Sequence, residues 1–403
     1  AFQNVLEICK LPSAERSRIE KFFEQQSALG YRVLALATGT SLEERDLTLE
    51  GFLLFMDPLK PGAKDAVAEM ASLGIDLYLI TGDNEFVAKA IGDQVGLNVE
   101  RVVTGNDVAE LTDSELIALM KHSRVYASLD PLQKQRVIKL LKSSGHTVGY
   151  FGDGINDAAA LHSADVGISV DTAVDIAKHA SAIVLLDKDL SVIAEGVRLG
   201  RKTFINTMKY ARVGVSASFG NMFSMAIASI FLPFLPLLPS QILLLNFMTD
   251  FPALAISGDS VDAEAIARPR RWDVKSIRNF MLIFGLISSV FDIATFAVLR
   301  FVFNADAELF RSGWFVESTL TELAVMLILR TRRRFWKSTP GKALWVSSLL
   351  LALLVFIIPF TQVGLLLQLE PLTWPLVFTI FGLIAIYAAV NELVKTRWVK
   401  ELL

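Results

Sequence analysis

A single cysteine, Cys9, stands among 403 residues. It excludes an internal disulfide framework and a metal centre built from thiolates. An excess of one charge is missing too: 39 basic and 42 acidic residues leave a net −3, a balance that names no nucleic-acid partner. No N-terminal signal peptide is visible, and the chain opens in mid-pattern with Ala1-Phe-Gln-Asn-Val-Leu-Glu-Ile-Cys9. The expectation is a chain whose upstream part is missing. What is present in quantity is apolar side chain, 53% of all residues, unevenly spread. Residues 1–200 read as a soluble α/β protein, whereas long apolar runs dominate from about Phe204. The length allows two or three domains.

The organising stretch is Gly149-Tyr-Phe-Gly-Asp-Gly-Ile-Asn-Asp-Ala-Ala-Ala-Leu161. A short buried-strand pattern precedes it and a helix start follows. Asp153, Asn156 and Asp157 therefore fall on a Gly-hinged turn at the carboxyl end of a strand, where open α/β sheets bind ligands. Two acids beside helix-start N–H groups suit Mg²⁺ together with phosphate. Taken alone, Asp-Gly and Asn-Asp also make ordinary turns.

The same plan recurs upstream. Ser13 to Leu29 has a helical pattern, and Gly30-Tyr-Arg-Val-Leu-Ala-Leu-Ala37 reads as a strand. Gly51-Phe-Leu-Leu-Phe-Met-Asp-Pro58 is an apolar strand ending in Asp57, followed by a polar helix. Ile75-Asp-Leu-Tyr-Leu-Ile-Thr-Gly-Asp83 repeats strand, Gly turn and helix; Val125 to Ala127 leads to a helix from Pro131 carrying Lys134. Strands alternating with helices predict a mainly parallel sheet with right-handed crossovers. Each of Thr81, Lys134 and the two aspartates has an ordinary structural explanation by itself.

In this order, at strand ends or early in crossover helices, they resemble the haloacid-dehalogenase phosphotransfer site. Asp57-Pro58, Thr81-Gly82-Asp83 and Gly152-Asp-Gly-Ile-Asn-Asp157 are most similar to P-type ATPases. The resemblance implies that Thr81 and Gly82, with Asp83 beside them, hold transferred phosphoryl oxygens and that Lys134 neutralises their charge. Asp153 and Asp157 would ligate Mg²⁺, with Asn156 completing the site. Arg32 would approach the phosphates of ATP, and Asp57 would sit near the nucleotide. Phosphoryl transfer needs mostly positioning and compensation of developing charge. One departure matters: the strand-end Asp-Lys-Thr-Gly-Thr that supplies the family's nucleophile does not occur here. Truncation is the simplest account, so this chain alone is not expected to hydrolyse ATP by that route.

From Phe204 there are six apolar segments, near 204–232, 240–257, 277–303, 314–330, 343–367 and 374–394. A helix needs about 20 apolar residues to span a bilayer; the second and fourth segments are the weaker. Basic residues gather in the loops from Arg268 to Arg278 and from Arg330 to Lys342, and in the tail at Lys395, Arg397 and Lys400. The positive-inside rule makes these ends cytoplasmic, along with residues 1–200. Intramembrane polar groups are costly and default to function. Asn246, Thr249 and Asp250 share one helix face, and Pro252 frees the carbonyl of Met248. Ser218 and Asn221 lie on the preceding span, where Gly214 and Gly220 permit close approach. This oxygen-only set suits a hard cation, although Asn246 and Thr249 also fit as interhelical glue. Asp292 and Glu322 are further intramembrane acids. Without a membrane cysteine, soft metals are disfavoured.

Phe204-Ile-Asn-Thr-Met-Lys-Tyr, Ser218-Phe-Gly-Asn-Met-Phe-Ser, Ser288-Ser-Val-Phe-Asp-Ile-Ala-Thr-Phe296 and Gly313-Trp-Phe-Val-Glu317 resemble the magnesium-importing P-type ATPases. Asn246-Phe-Met-Thr-Asp250 is more similar to the calcium-pump group. The resemblance implies an α/β haloacid-dehalogenase-like (Rossmann-type parallel-sheet) cytoplasmic domain followed by an α-helical transmembrane bundle of six helices. Residues 1–50 would be the end of a nucleotide-binding domain, 51–203 a phosphorylation domain without its nucleophile segment, and 204–403 the membrane domain. The implied function is ATP-driven cation transport in a prokaryotic cell membrane through an aspartyl phosphate. Its partners would be Mg²⁺, ATP, the lipid bilayer and the N-terminal remainder of the pump, with Mg²⁺ as cargo and Ca²⁺ or another hard cation as the alternative. Two rivals remain: a membrane-tethered phosphatase with an upstream Asp-x-Asp pair, and a non-catalytic membrane subunit.

Overall fold

A computed structural model describes residues 2–39, 45–187 and 189–398; Lys400 lies outside them. The chain divides into two compact units, Ala1–Val197 and Arg198–Leu403.

In the first unit, helices α1 (Phe2–Ile8) and α2 (Ser13–Ala28) pack on a two-stranded antiparallel sheet, β1 (Tyr31–Thr38) and β2 (Thr48–Met56). β2 therefore does not open the parallel sheet as the strand-helix alternation predicted. Its register, Tyr31 against Met56 through Leu36 against Gly51, pairs it with the strand before it. An apolar run cannot by itself announce its partner.

After α3 (Ala63–Ser72) come β3 (Leu79–Ile80), α4 (Glu85–Val95), β4 (Val102–Thr104), α5 (Gly105–Glu110), α6 (Asp113–Met120), β5 (Val125–Ala127), α7 (Pro131–Ser143), β6 (Gly149–Phe151), α8 (Ala158–Ser163), β7 (Val166–Val170), α9 (Asp175–Ala180) and β8 (Ile183–Leu185), of which β4, α5 and α6 were not expected from the sequence. The helix starts are written in the sequence. Asn84 accepts from the Val87 N–H to begin α4, and Thr104/Asp107, Thr112/Glu115 and Asp130/Gln133 form reciprocal caps on α5, α6 and α7. Each satisfies N–H groups that a helix start leaves orphaned.

The strands form two parallel three-stranded sheets, ordered β3-β5-β4 and β6-β7-β8. Val125, Tyr126 and Ala127 of central β5 are fully buried, as a parallel strand covered on both faces requires. Tyr126, Val137, Tyr150 and Leu161 belong to one core that joins both sheets. β3 and β6 each form a sheet edge, and each leads directly into one of the polar loops.

The second unit is helical: the long α10 (Leu190–Phe231), whose first turns belong to the first unit, α11 (Pro239–Ala255), α12 (Ala263–Ile266), α13 (Val274–Ala297), α14 (Ala307–Leu329), α15 (Lys342–Ile357), α16 (Gln362–Leu366) and α17 (Trp374–Trp398). Among the described residues five helices are long and apolar enough to cross a membrane: α10, α13, α14, α15 and α17 with their extensions. The sixth expected span, 240–257, is the 17-residue α11, shorter than the usual spanning length of about 20.

Close approach of α10 and α13 rests on Gly220 and Gly285. A Cβ on Gly285 would stand 2.6 Å from the Phe219 ring, and one on Gly220 3.0 Å from Ser288 Cβ. Gly214 has open space around it instead, so it does not share that role. α14 is the most enclosed span, with Phe310, Trp314, Phe315, Leu320 and Leu323 in the main core.

Candidate phosphate and cation sites

Two loops and one helix build the polar site of the first unit. Thr81 follows β3; its N–H donates to the Tyr126 carbonyl (2.9 Å), and its hydroxyl accepts from the Asp83 N–H (3.1 Å). The loop is tied to the end of β5: Ser128 N–H donates to the Asp83 carbonyl (2.7 Å) and Leu129 N–H to the Thr81 carbonyl (3.1 Å). Asp130 next caps α7, which brings in Lys134, a lysine with only 8% of its surface exposed.

Lys134 Nζ reaches Asp157 Oδ1 at 2.8 Å, and the Tyr150 hydroxyl donates to the same oxygen at 2.8 Å. The Gly154 N–H contacts Oδ2 at 3.3 Å. Gly152 has to lack a side chain, because a Cβ there would lie 2.7 Å from Asp157 Cβ. Burial opposes the Asp157 charge, but the Lys134 and Tyr150 donors outweigh it and hold its carboxyl below the usual carboxylate range. Burial, and then the negative Asp157, push the Tyr150 phenol above its ordinary value.

Lys134 and Asp157 are thus brought together, and Thr81, Gly82 and Asp83 form one tied loop. Asp153 is half-buried on the turn before Asp157, and Asn156 is exposed. Arg32 pairs with Asp83, which joins β1 to the Thr81 loop; its guanidinium faces a carboxylate in this conformation. Asp57 is exposed just after β2. Tyr150 was not legible as a site residue, since its contact with Asp157 depends on the turn folding back over β6. Among the described residues no cluster of three or more His, Cys, Asp or Glu side chains gathers. The donors fit Mg²⁺ nevertheless: this ion characteristically takes one or two carboxylates and completes its shell with phosphate oxygens and water.

In the second unit Thr249 is buried on α11, whereas Asn246 and Asp250 are exposed. They lie on the face that also presents Leu243, Phe247, Phe251 and Leu254. On α10, Ser218 is exposed and Asn221 half-buried, its Oδ1 accepting from the Ser318 hydroxyl at 3.1 Å. Glu322 of α14 lies within electrostatic reach of Thr249 and Asp250, while the Thr249 hydroxyl donates to the Asn246 carbonyl at 3.2 Å. It also borders a cavity of about 10 Å³ shared with Asn221, Ser288, Ser318 and Tyr387, room for about one water. Glu322, expected from the sequence only as a further intramembrane acid, thereby joins Asn221, Thr249 and Asp250.

Asp292 is a separate center. It is buried on α13, accepting from Ser224 Oγ (2.6 Å) and Trp314 Nε1 (2.9 Å).

Comparison with known proteins matches both units. Residues 10–165 fit the model of haloacid dehalogenase-like hydrolases, and residues 234–397 that of the cation-transporting ATPase C-terminus. The magnesium-transporting ATPase, P-type 1, of Escherichia coli K12 is 39% identical over 98% of this chain and 47% of its own length. A magnesium-transporting ATPase, P-type 1, of Salmonella typhimurium is 42% identical over 94% of this chain and 43% of its length. The calcium-transporting ATPase of Bacillus subtilis is 30% identical over 83% of this chain and 39% of its length. The chain thus spans about half the length of these curated relatives. With a haloacid dehalogenase-like unit, a multi-pass helical unit and these relatives, the chain belongs to the P-type cation-transporting ATPases.

Proposed function

We propose that this chain is the part of an ATP-driven cation pump that closes around the transferred phosphoryl group and contributes cation ligands within the membrane. Residues 1–50 would end the nucleotide-binding domain, 51–203 form most of the phosphorylation domain, and 204–403 form the membrane domain, with the soluble part and the C-terminus cytoplasmic. The observation that carries the reading is the Lys134–Asp157 pair at 2.8 Å: a buried lysine delivered by a crossover helix to a Gly-hinged acidic turn.

The nucleophile is an aspartate outside these 403 residues, contributed by the remainder of the pump. Its carboxylate would attack the γ-phosphorus of ATP, releasing ADP and leaving an aspartyl phosphate. The Thr81 hydroxyl and the Gly82 N–H would donate to the phosphoryl oxygens, and Lys134 would offset the charge that develops on them. Mg²⁺ would be held by Asp153 and Asp157, with Asn156 at its rim, and would supply positive charge against the phosphate. Arg32, now on Asp83, would have to exchange that partner to meet the nucleotide, with Asp57 alongside.

For the cargo, Asp250, Thr249, Asn246, Asn221 and Glu322 offer oxygen and no sulfur, which favours a hard cation. Exposed Asn246 and Asp250 on an otherwise apolar face would be costly against lipid, so further helices of the pump would cover them; Ser218, also exposed, would join them there. Magnesium is the cargo named for the relatives matched over nearly the whole chain. Calcium is the second reading, supported by the Thr249–Asp250–Glu322 grouping and the Bacillus subtilis relative. ATPase stimulation of the full-length pump by Mg²⁺ and Ca²⁺, with and without Asp250→Asn, tests both. Unchanged cation affinity in Asp250→Asn overturns the membrane site, and an ATPase that survives Asp153→Asn overturns the phosphoryl site.

A further inference from the structure

The Asp157 carboxylate is served unequally on its two oxygens. Oδ1 accepts from Lys134 Nζ and from the Tyr150 hydroxyl, each at 2.8 Å, whereas Oδ2 has the Gly154 N–H at 3.3 Å. A carboxylate oxygen has two lone pairs, so the two short donors fill Oδ1. Oδ2 keeps room for one more partner.

The two donors on Oδ1 differ in freedom. Lys134 reaches the carboxylate on a flexible four-carbon stem, and its charge is the one that would meet the phosphoryl oxygens. Tyr150 has no such choice. It stands in the middle of β6 with 7% of its surface exposed, packed in the core that joins both parallel sheets. The missing side chain of Gly152, where a Cβ would lie 2.7 Å from Asp157 Cβ, lets the turn fold back far enough for the acid to meet that hydroxyl. Tyr150 is therefore the donor that stays on Oδ1 when Lys134 turns to another anion.

A carboxylate with one oxygen tied and one open is a selective ligand. Ca²⁺ takes carboxylates through one oxygen or through both in a large, flexible shell, while Mg²⁺ demands a compact octahedron and keeps several waters. Occupying Oδ1 removes an option that Ca²⁺ uses and Mg²⁺ does not need. We propose that Tyr150 is a positioning residue that sets the metal preference of the Asp153–Asp157 turn: by holding Asp157 Oδ1 it leaves the carboxylate one free oxygen, Oδ2, and so favours Mg²⁺ over Ca²⁺. The inference rests on the phosphoryl-site reading and concerns the metal beside the phosphate, not the cargo.

The test is Tyr150→Phe in the full-length pump, which removes one oxygen and keeps the ring that fills the core. Bound Mn²⁺ is followed by electron paramagnetic resonance while Mg²⁺ or Ca²⁺ displaces it, in wild type and in the variant. The membrane ligands are the same in both proteins, so the difference between their titrations reports the first unit. In Tyr150→Phe, Ca²⁺ should gain about tenfold on Mg²⁺ as a displacer, the scale of one hydrogen bond to a charged group. Ca²⁺ should also inhibit phosphoenzyme formation at a correspondingly lower concentration. Tyr210→Phe, at an exposed tyrosine of α10, should change neither readout. An unchanged ratio of the two ions in Tyr150→Phe, or an equal loss of affinity for both, overturns the proposal while the phosphoryl site stands. A Mn²⁺ titration unaltered by Asp153→Asn overturns the phosphoryl-site reading and this inference with it, which keeps the two failures apart.

Discussion

Removing Lys134 should damage the fold and the chemistry in separable ways. Its ammonium and the Asp157 carboxylate are 2.8 Å apart, with side chains only 9% and 15% exposed. In Lys134→Met the carboxylate keeps the Tyr150 hydroxyl and the Gly154 N–H but stays buried without its counter-charge. Breaking such a pair from one side costs about 3–5 kcal/mol; the surviving donors place the expected loss near the lower end. Asp157→Asn strands the lysine instead and should also destabilise. Lys134→Met/Asp157→Asn leaves no buried charge, so the double variant should recover about 2–3 kcal/mol relative to the sum of the singles, the coupling typical of contacting residues.

The dependence on pH has a definite sign. The Asp157 carboxyl is depressed in the folded chain, so its contribution is present above the unfolded carboxylate pKa of about 3.9 and is lost as pH falls through the lower folded value. The gap between wild type and Lys134→Met should therefore close on acidification. Differential scanning calorimetry of the four variants in one detergent across that range measures both effects. Additive single effects, or a gap that does not change with pH, would refute the reasoning. In the full-length pump the double variant should remain inactive even with its fold restored.

Other outcomes follow from the remaining geometry. Gly285→Leu should destabilise the bundle by about 1–3 kcal/mol or more through overpacking, since even a Cβ there stands 2.6 Å from the Phe219 ring; Gly214→Ala, in open space, should be near neutral in the same unfolding assay. Asp259→Asn should cost about 3–5 kcal/mol, because Lys209 and Arg330 both depend on that buried carboxylate, and limited proteolysis of the loops after α12 and α14 should accelerate. Glu322→Gln in the full-length pump should weaken cation stimulation of ATPase by about tenfold, equivalent to about 1.4 kcal/mol; Glu308→Gln, on the first turn of α14, should not.

Much of the first unit was legible because its signals are local. Apolar runs ending in Gly and Asp became β3 and β6, and the caps Asn84, Thr104, Thr112 and Asp130 stand directly before their helices. The pairing of β2 with β1 was not local information, and the alternation of strand and helix suggested a different partner. The turn carrying Asp157 could be read from its glycines, while Tyr150 could not, since strand periodicity gives no hint of what a hydroxyl touches. In the membrane unit, spacing put Asn246, Thr249 and Asp250 on neighbouring helix positions, but spacing does not say which face is enclosed. Thr249 turned inward and the other two outward. Glu322 joined Thr249 through a contact between α11 and α14 that only packing creates.

The outermost strands of the two parallel sheets have a practical corollary. β3 spans two residues and β6 three, and among the described residues each offers main-chain donors and acceptors on one flank with no neighbour in its own sheet. Such brief borders are poor templates for runaway fibre growth, yet they suffice to zip onto an incoming segment of matching length.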